Sequence, residues 1–255
     1  MKSANSSVAR EALHDVLSGL GARVDRLGRS DAFIPVDTEA IRPEDVELGR
    51  EWAASGGYDA LVSADGDGDR PLVSDEHGEW LRGDIAGILC ARRLGAAGVA
   101  TPVSCNTAVE KGGWFRAVLR TRIGSPYVIA GMQELVERGL APVVGYEANG
   151  GFLTATDILD QGRRLPALPT RDAVLVAVTV LRGTRPQEPA DVVDTPVAVG
   201  APVDPTAPQH ASAAPFADTA GPAPLREYAP DRFRSRADGV ELVHGSVRLV
   251  LLDPG

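Results

Sequence analysis

Long hydrophobic runs are missing from this chain. No uninterrupted apolar stretch approaches the length needed to cross a bilayer, and Met1-Lys2-Ser3-Ala4-Asn5 is not followed by the apolar core of a signal peptide. The expectation is a cytoplasmic protein with no membrane partner. Cysteine is equally scarce: Cys90 lies in an apolar helical pattern and Cys105 stands beside Asn106. Two thiols in such unlike contexts argue against a disulfide framework and for a reduced pair. Positive charge is also short. Lys and Arg total 26 against 35 Asp and Glu, for a formal net charge of -9, and no basic cluster occurs. That balance argues against nucleic acid or an anionic membrane surface as a partner. An anionic substrate would have to be met by local positive charge or by a metal.

What the chain does have is size and apolar content: 255 residues, 44% of them hydrophobic, suffice for one large core or two modest ones. The most informative stretch is Asp65-Gly66-Asp67-Gly68-Asp69-Arg70. Three carboxylates at alternate positions repel one another unless they surround a hard cation, and the intervening glycines let the backbone curl around it. Mg²⁺ is the expected ion, held by Asp65, Asp67 and Asp69. A solvated acidic turn and an EF-hand-like calcium loop are the competing readings. The glycine order and the missing terminal Glu do not follow the EF-hand, and Arg70 places a cation where a simple cage would not want one. The apolar run 58–64 reads as a buried strand feeding this loop, which puts the loop outside the carboxyl end of a strand in an open α/β sheet.

Helical spacing over residues 7–17, ended by Gly19 and Gly21, precedes a short strand at 22–27. Pro43 followed by Glu44 and Asp45 opens a second helix. After the aspartate loop come a helix over 83–94, a strand over 98–103, a helix over 127–138, a strand over 141–146 and a helix over 171–181. Alternation of this kind predicts α/β architecture with mostly parallel sheets, as two successive small domains, 1–98 and 99–182. Residues 183–230 are rich in Pro, Ala, Asp and Thr without apolar period and read as a disordered linker. Residues 231–255 end in a predicted short β-hairpin turning at Gly245.

A second glycine-rich loop, Gly145-Tyr146-Glu147-Ala148-Asn149-Gly150-Gly151-Phe152, follows its strand as the aspartate loop follows its own. Glu147 and Asn149 offer a carboxylate acceptor and an amide suited to neighbouring sugar hydroxyls. Alone, such a loop is an ordinary turn composition. Together with the aspartate loop, with Thr121-Arg122-Ile123-Gly124-Ser125-Pro126-Tyr127-Val128, with Ser30-Asp31-Ala32-Phe33-Ile34-Pro35 and with Asn106-Thr107-Ala108, it resembles the α-D-phosphohexomutases. Among these it is most similar to bacterial phosphomannomutases and phosphoglucomutases, and the resemblance runs in continuous order over about residues 5–182.

That resemblance implies a four-domain architecture around one cleft, of which this chain carries the metal-loop and sugar-loop domains. It also implies Mg²⁺-dependent phosphoryl transfer on mannose or glucose phosphates through a phosphoserine. Asp65, Asp67 and Asp69 would hold the metal, and Arg70, Arg122, Glu147 and Asn149 the substrate. No Ser-His pair followed by Asn-Pro occurs, and the hairpin reaches Asp253-Pro254-Gly255 where the family continues into Arg-Pro-Ser-Gly. The expectation is therefore a truncated mutase with no catalytic residue of its own, unable to complete the cycle without a complementary mutase chain. A noncatalytic pseudoenzyme that binds a sugar phosphate or a partner, and a metal-dependent sugar-phosphate phosphatase, are the alternatives.

Overall fold

The computed structural model describes residues 8–28, 36–160, 162–182 and 248–252. The segment 30–35, the linker expected over 183–230 and the first arm of the expected hairpin lie outside the described residues. The chain begins with α1 (Val8–Gly19), β1 (Arg23–Leu27), α2 (Pro43–Gly56) and β2 (Ala60–Ala64). The aspartate loop then leads into β3 (Pro71–Val73), α3 (Gly83–Arg93) and β4 (Gly98–Pro102). A second run comprises α4 (Ala108–Lys111), β5 (Ala117–Thr121), α5 (Ser125–Glu137), β6 (Val143–Tyr146) and β7 (Phe152–Thr154). The small pair β8 (Ile158–Asp160) and β9 (Arg163–Leu165), then α6 (Ala173–Leu181) and β10 (Arg248–Leu252), complete it.

Local chemistry accounts for most of these boundaries. Pro43 presets φ in the first turn of α2, Glu44 and Asp45 face the positive end of its dipole, and the helix stops at Gly57 with φ 61°. Arg42 forks onto both oxygens of Asp45 at 2.7 Å, fixing the entry to that helix. In α1, Leu13 and Leu17 stand one turn apart and are both buried. The α6 sequence AVLVAVTVL is apolar on nearly every side. Such a helix has to be enclosed, and Asp172 caps it by accepting from the Leu175 amide at 2.9 Å.

Two four-stranded sheets result, with strand orders β1-β10-β2-β3 and β5-β4-β6-β7. Their inner pairings are parallel, and each ends in an antiparallel edge strand: β3 pairs with β2 and β7 pairs with β6. One continuous core joins them. It contains Leu13 and Leu17 of α1, Val62 and Val73 of the first sheet, Ile88 and Cys90 of α3, Tyr146 and Phe152 of the second sheet, and Val176 and Val180 of α6. The helices α3 and α6 are shared by the two sheets. A second, smaller cluster of Ala100, Val128, Met132, Leu135, Val143 and Leu153 lies under α5 on the other face of the second sheet. Among the described residues no helix is long and apolar enough to cross a membrane. Cys90 and Cys105 are buried and unbridged, and burial pushes the Cys105 thiol up to about 12.

Strand β10, the second arm of the expected hairpin, inserts in parallel between β1 and β2. Arg23↔Arg248 through Leu27↔Leu252 pair on one side and Leu249↔Ala60 through Leu251↔Val62 on the other. It therefore holds an interior position in the sheet that delivers the aspartate loop. Ending the chain at residue 247 should leave the facing edges of β1 and β2 unpaired. Each net hydrogen bond contributes about 1 kcal/mol, so the expected loss is several kcal/mol, or on the order of 10 °C in Tm. Thermal melts of the intact and shortened chains within about 2 °C of each other would show that β10 does not support this sheet.

Candidate functional site

The aspartate loop is the connection of a hairpin. At the end of β2 the chain turns back so that Ala64 pairs with Pro71 of β3. The sequence sets the loop beyond the carboxyl end of a strand but does not show the return strand: the three-residue β3, buried throughout, is too short to display a period. The Asp65 amide donates to the Arg70 carbonyl at 3.1 Å, and the Gly68 amide donates to the Asp65 carbonyl at 3.0 Å. Gly68 takes φ +78°, a value that a side chain at this turn would resist. Asp65 Oδ1 accepts from the Asp69 and Arg70 amides at 3.1 Å each, so the first aspartate folds the loop around its own carboxylate.

One carboxylate oxygen from each of Asp65, Asp67 and Asp69 lies within 4.8 Å of the others. Asp65 is 7% exposed. Its burial, with the charges of Asp67 and Asp69 adding, lifts its carboxyl from 3.8 to about 6 against the opposing Arg70 amide and guanidinium. Burial also raises Asp69, with Arg171 opposing the shift. Asp69 Oδ1 is buried without a hydrogen-bond partner. Three clustered carboxylates, one carrying an unpartnered buried oxygen, form a donor set that fits a hard divalent cation and can hold a metal ion.

The sugar-loop candidate has the same construction, joining β6 to the antiparallel β7. The Glu147 amide donates to the Gly151 carbonyl and the Gly150 amide to the Glu147 carbonyl, both at 3.0 Å. Gly150 takes φ +88°. The Glu147 side chain is buried, and its Oε2 accepts from the Ser125 hydroxyl at 3.0 Å. Asn149 holds the turn itself: its Oδ1 accepts from the Gly151 amide at 3.0 Å and its carbonyl accepts from the Thr38 hydroxyl at 2.8 Å. The N-terminus of α3 presses against this loop. A Cβ on Gly83 would stand 2.3 Å from the Gly150 nitrogen, closer than any side chain tolerates.

The two loops are neighbours. A Cβ on Gly150 would meet the Pro71 ring at 3.2 Å, so the exit of one hairpin touches the turn of the other. Between them stands Arg171, which sequence reasoning missed. Its Nη2 is 2.8 Å from Asp69 Oδ2 and its Nη1 is 3.8 Å from Glu147 Oε2. A lone Arg before an apolar helix carries no sequence signal; only the packing of α6 against both sheets brings it here. Arg70 turns back onto its own loop, with Nε 3.5 Å from Asp65 Oδ2 and 3.7 Å from Asp69 Oδ1. Arg122 follows β5 and is exposed, with its guanidinium 5.6 Å from the centre of the Tyr127 ring. It lies three residues before Ser125, the hydroxyl that reaches Glu147. Asn106 is buried and structural in its contacts: its backbone amide donates to the buried Asp84 carboxylate at 2.9 Å, and its Oδ1 accepts from the Ala108 backbone amide at 2.8 Å.

Comparison with known proteins adds a consistent result. Residues 82–195 match the family described as phosphoglucomutase/phosphomannomutase, alpha/beta/alpha domain III. A phosphomannomutase of Salmonella muenchen is 47% identical over 189 residues, covering 74% of this chain and 39% of that protein. A phosphomannomutase of Sinorhizobium fredii is 50% identical over 177 residues, covering 69% and 37%. The chain thus spans less than two fifths of the length of these curated relatives. Among solved structures, a phosphoglucomutase/phosphomannomutase family protein from Burkholderia thailandensis shares the fold with a TM-score of 0.52 at 20% identity, over 70% of this chain and 38% of that one. This similarity supports the phosphohexomutase family for the chain, central domains only.

Proposed function

We propose that this chain binds a hexose phosphate, mannose or glucose phosphate being the class, beside a divalent metal, and that it serves phosphoryl transfer on that sugar. The observation that carries the reading is the junction of the two hairpin turns, where Arg171 reaches Asp69 at 2.8 Å and Glu147 at 3.8 Å. A carboxylate cluster suited to a cation and a carboxylate suited to sugar hydroxyls share one short span there. Asp65, Asp67 and Asp69 would hold the metal, with Mg²⁺ as the ion of choice for oxygen donors near a phosphate. When bound, the ion would supply charge neutralisation for a transferring phosphoryl group. Glu147, with its carboxylate oriented by Ser125, would accept hydrogen bonds from sugar hydroxyls. Arg70 and Arg122 are the further cations proposed for the phosphate, and Asn149 holds the turn that presents Glu147. Two buried, unbridged thiols suit a reducing compartment, so we place this activity in the cytoplasm.

The metal assignment predicts a pH dependence of defined sign. Asp65 is lifted to about 6, so it takes up a proton where an ordinary aspartate stays charged. A metal binds the charged form, and its affinity should fall as pH drops through about 6. Calorimetry with Mg²⁺ or Mn²⁺ at pH 7.5 and pH 5 checks this, and Asp67→Asn should weaken binding at both. Equal affinity in wild type and Asp67→Asn would count against the aspartate loop as the site.

In the metal-free chain the same shift has the opposite consequence for stability. Folded Asp65 holds a proton up to about pH 6 while the unfolded chain releases it near 3.8, so stability from this group declines as pH rises between the two. Asp65→Asn, which keeps the oxygen that accepts the Asp69 and Arg70 amides, should melt higher than wild type at pH 7.5 without metal. The gap should narrow as pH falls through about 6 and close only below about 3.8. Melting curves that separate in the reverse order would contradict the burial argument.

Glu147→Ala tests the sugar side. Each charge-assisted hydrogen bond to a hydroxyl contributes on the order of 1.5–3 kcal/mol, so affinity for mannose 1-phosphate should drop at least about tenfold. Metal affinity should change less than about threefold. Unaltered sugar-phosphate binding in a folded Glu147→Ala chain would remove Glu147 from the proposal.

A further inference from the structure

Arg171 joins the two turns, but neither the metal reading nor the sugar reading gives its charge a role of its own. It comes from the segment entering α6, outside both hairpins, and only its side chain spans the gap to them. The two nitrogens of one guanidinium fork face carboxylates of different loops, Asp69 at 2.8 Å and Glu147 at 3.8 Å. The stem lies on Gly151, where a Cβ would come 2.5 Å from Arg171 Cδ, so the absence of a side chain at 151 makes the passage. At 24% side-chain exposure for Arg171 and 25% for Asp69, this ion pair is screened enough to be exchanged. Arg70, the other nearby cation, differs in this respect. Its backbone amide is held by Asp65 Oδ1 inside the loop, and its guanidinium has no short contact with Glu147 among the described residues.

We propose that Arg171 is an exchangeable counter-ion of the junction: it neutralises Asp69 while the aspartate loop holds no metal, and transfers its charge to the anionic sugar phosphate once a divalent ion takes Asp69. The inference rests on the metal and sugar-phosphate reading above and adds to it a residue with two successive partners. The physical reason is charge. Asp65, Asp67, Asp69 and Glu147 together carry four negative charges against Arg70 and Arg171, so the metal-free junction needs the guanidinium on Asp69. A doubly charged ion reverses that need. The displaced guanidinium remains tethered beside Glu147, where the phosphate and hydroxyls of a sugar phosphate offer it new acceptors.

The consequence is a pair of effects of opposite sign, which a merely structural role would not produce. In the full chain, Arg171→Ala should bind Mn²⁺ about three- to fivefold more tightly than wild type, because the competing cation is gone. The same variant, saturated with Mn²⁺, should bind mannose 1-phosphate at least about fivefold more weakly. Arg171→Lys, which keeps the charge, should recover part of the sugar-phosphate affinity. Gly151→Ala should also tighten Mn²⁺ without removing any charge, since its Cβ pushes the guanidinium away from Asp69. Calorimetry for both ligands, with melting curves to verify folding, reads all four outcomes. If Arg171→Ala and Gly151→Ala weaken both ligands together or alter neither, the exchange is wrong. Should Arg171→Ala fail to fold, Gly151→Ala and Arg171→Lys decide the matter by the same signs. Wild-type protein that takes up no Mn²⁺ would overturn the metal reading and this inference with it. Wild-type protein that binds both ligands, with variants that do not separate them, would overturn this inference alone.

Discussion

Repulsion among carboxylates gathered at the meeting of two hairpin turns is the constraint on which the rest of the site depends. Asp65, Asp67 and Asp69 bring one oxygen each within 4.8 Å, and Glu147 is added from the second hairpin through Arg171. Solvent gives little relief to the innermost of these, Asp65 and Glu147, because both are buried. The structure offsets the charge by three means: amides of Asp69 and Arg70 aimed at Asp65, the Ser125 hydroxyl aimed at Glu147, and two guanidinium groups at the seam. Asp65 is still lifted to about 6, by its burial first and by the charges of Asp67 and Asp69 after it.

Close approach of backbone to backbone makes this geometry possible, and glycine makes the approach. Gly83 lets the first turn of α3 touch the second loop, and a Cβ on Gly87 would come 2.5 Å from the Tyr146 ring, so α3 lies flat on β6. The helix is consequently buried along most of its length between the two sheets. Shared burial of α3 and α6 holds the two hairpins in register with each other. A change in the core of one sheet should therefore be felt at the loop of the other, since side chains of both belong to one cluster.

Much of the element order was legible in the chain. Apolar spacing located α1, α3, α5 and α6, Pro43 with its acids located α2, and the runs before each glycine-rich loop located β2 and β6. What escaped were β3 and β7, three residues each and buried on both faces, along with β5, the β8-β9 pair and the one-turn helix α4. Such short strands show neither alternation nor a long apolar run. Their omission concealed that both loops turn back as hairpins.

The sequence by itself determined the chemistry at the two turns. Aspartates spaced by glycine announce mutual repulsion and a backbone free to curl, and a Glu and an Asn ahead of Gly-Gly announce a tight turn that offers polar groups. Tertiary structure alone decided that the turns touch, that Arg171 stands between them, and that β10 enters the first sheet between β1 and β2. These contacts join residues far apart in the chain. Their partners are selected by which faces are buried when two sheets enclose α3 and α6, and no local spacing of residues encodes that choice.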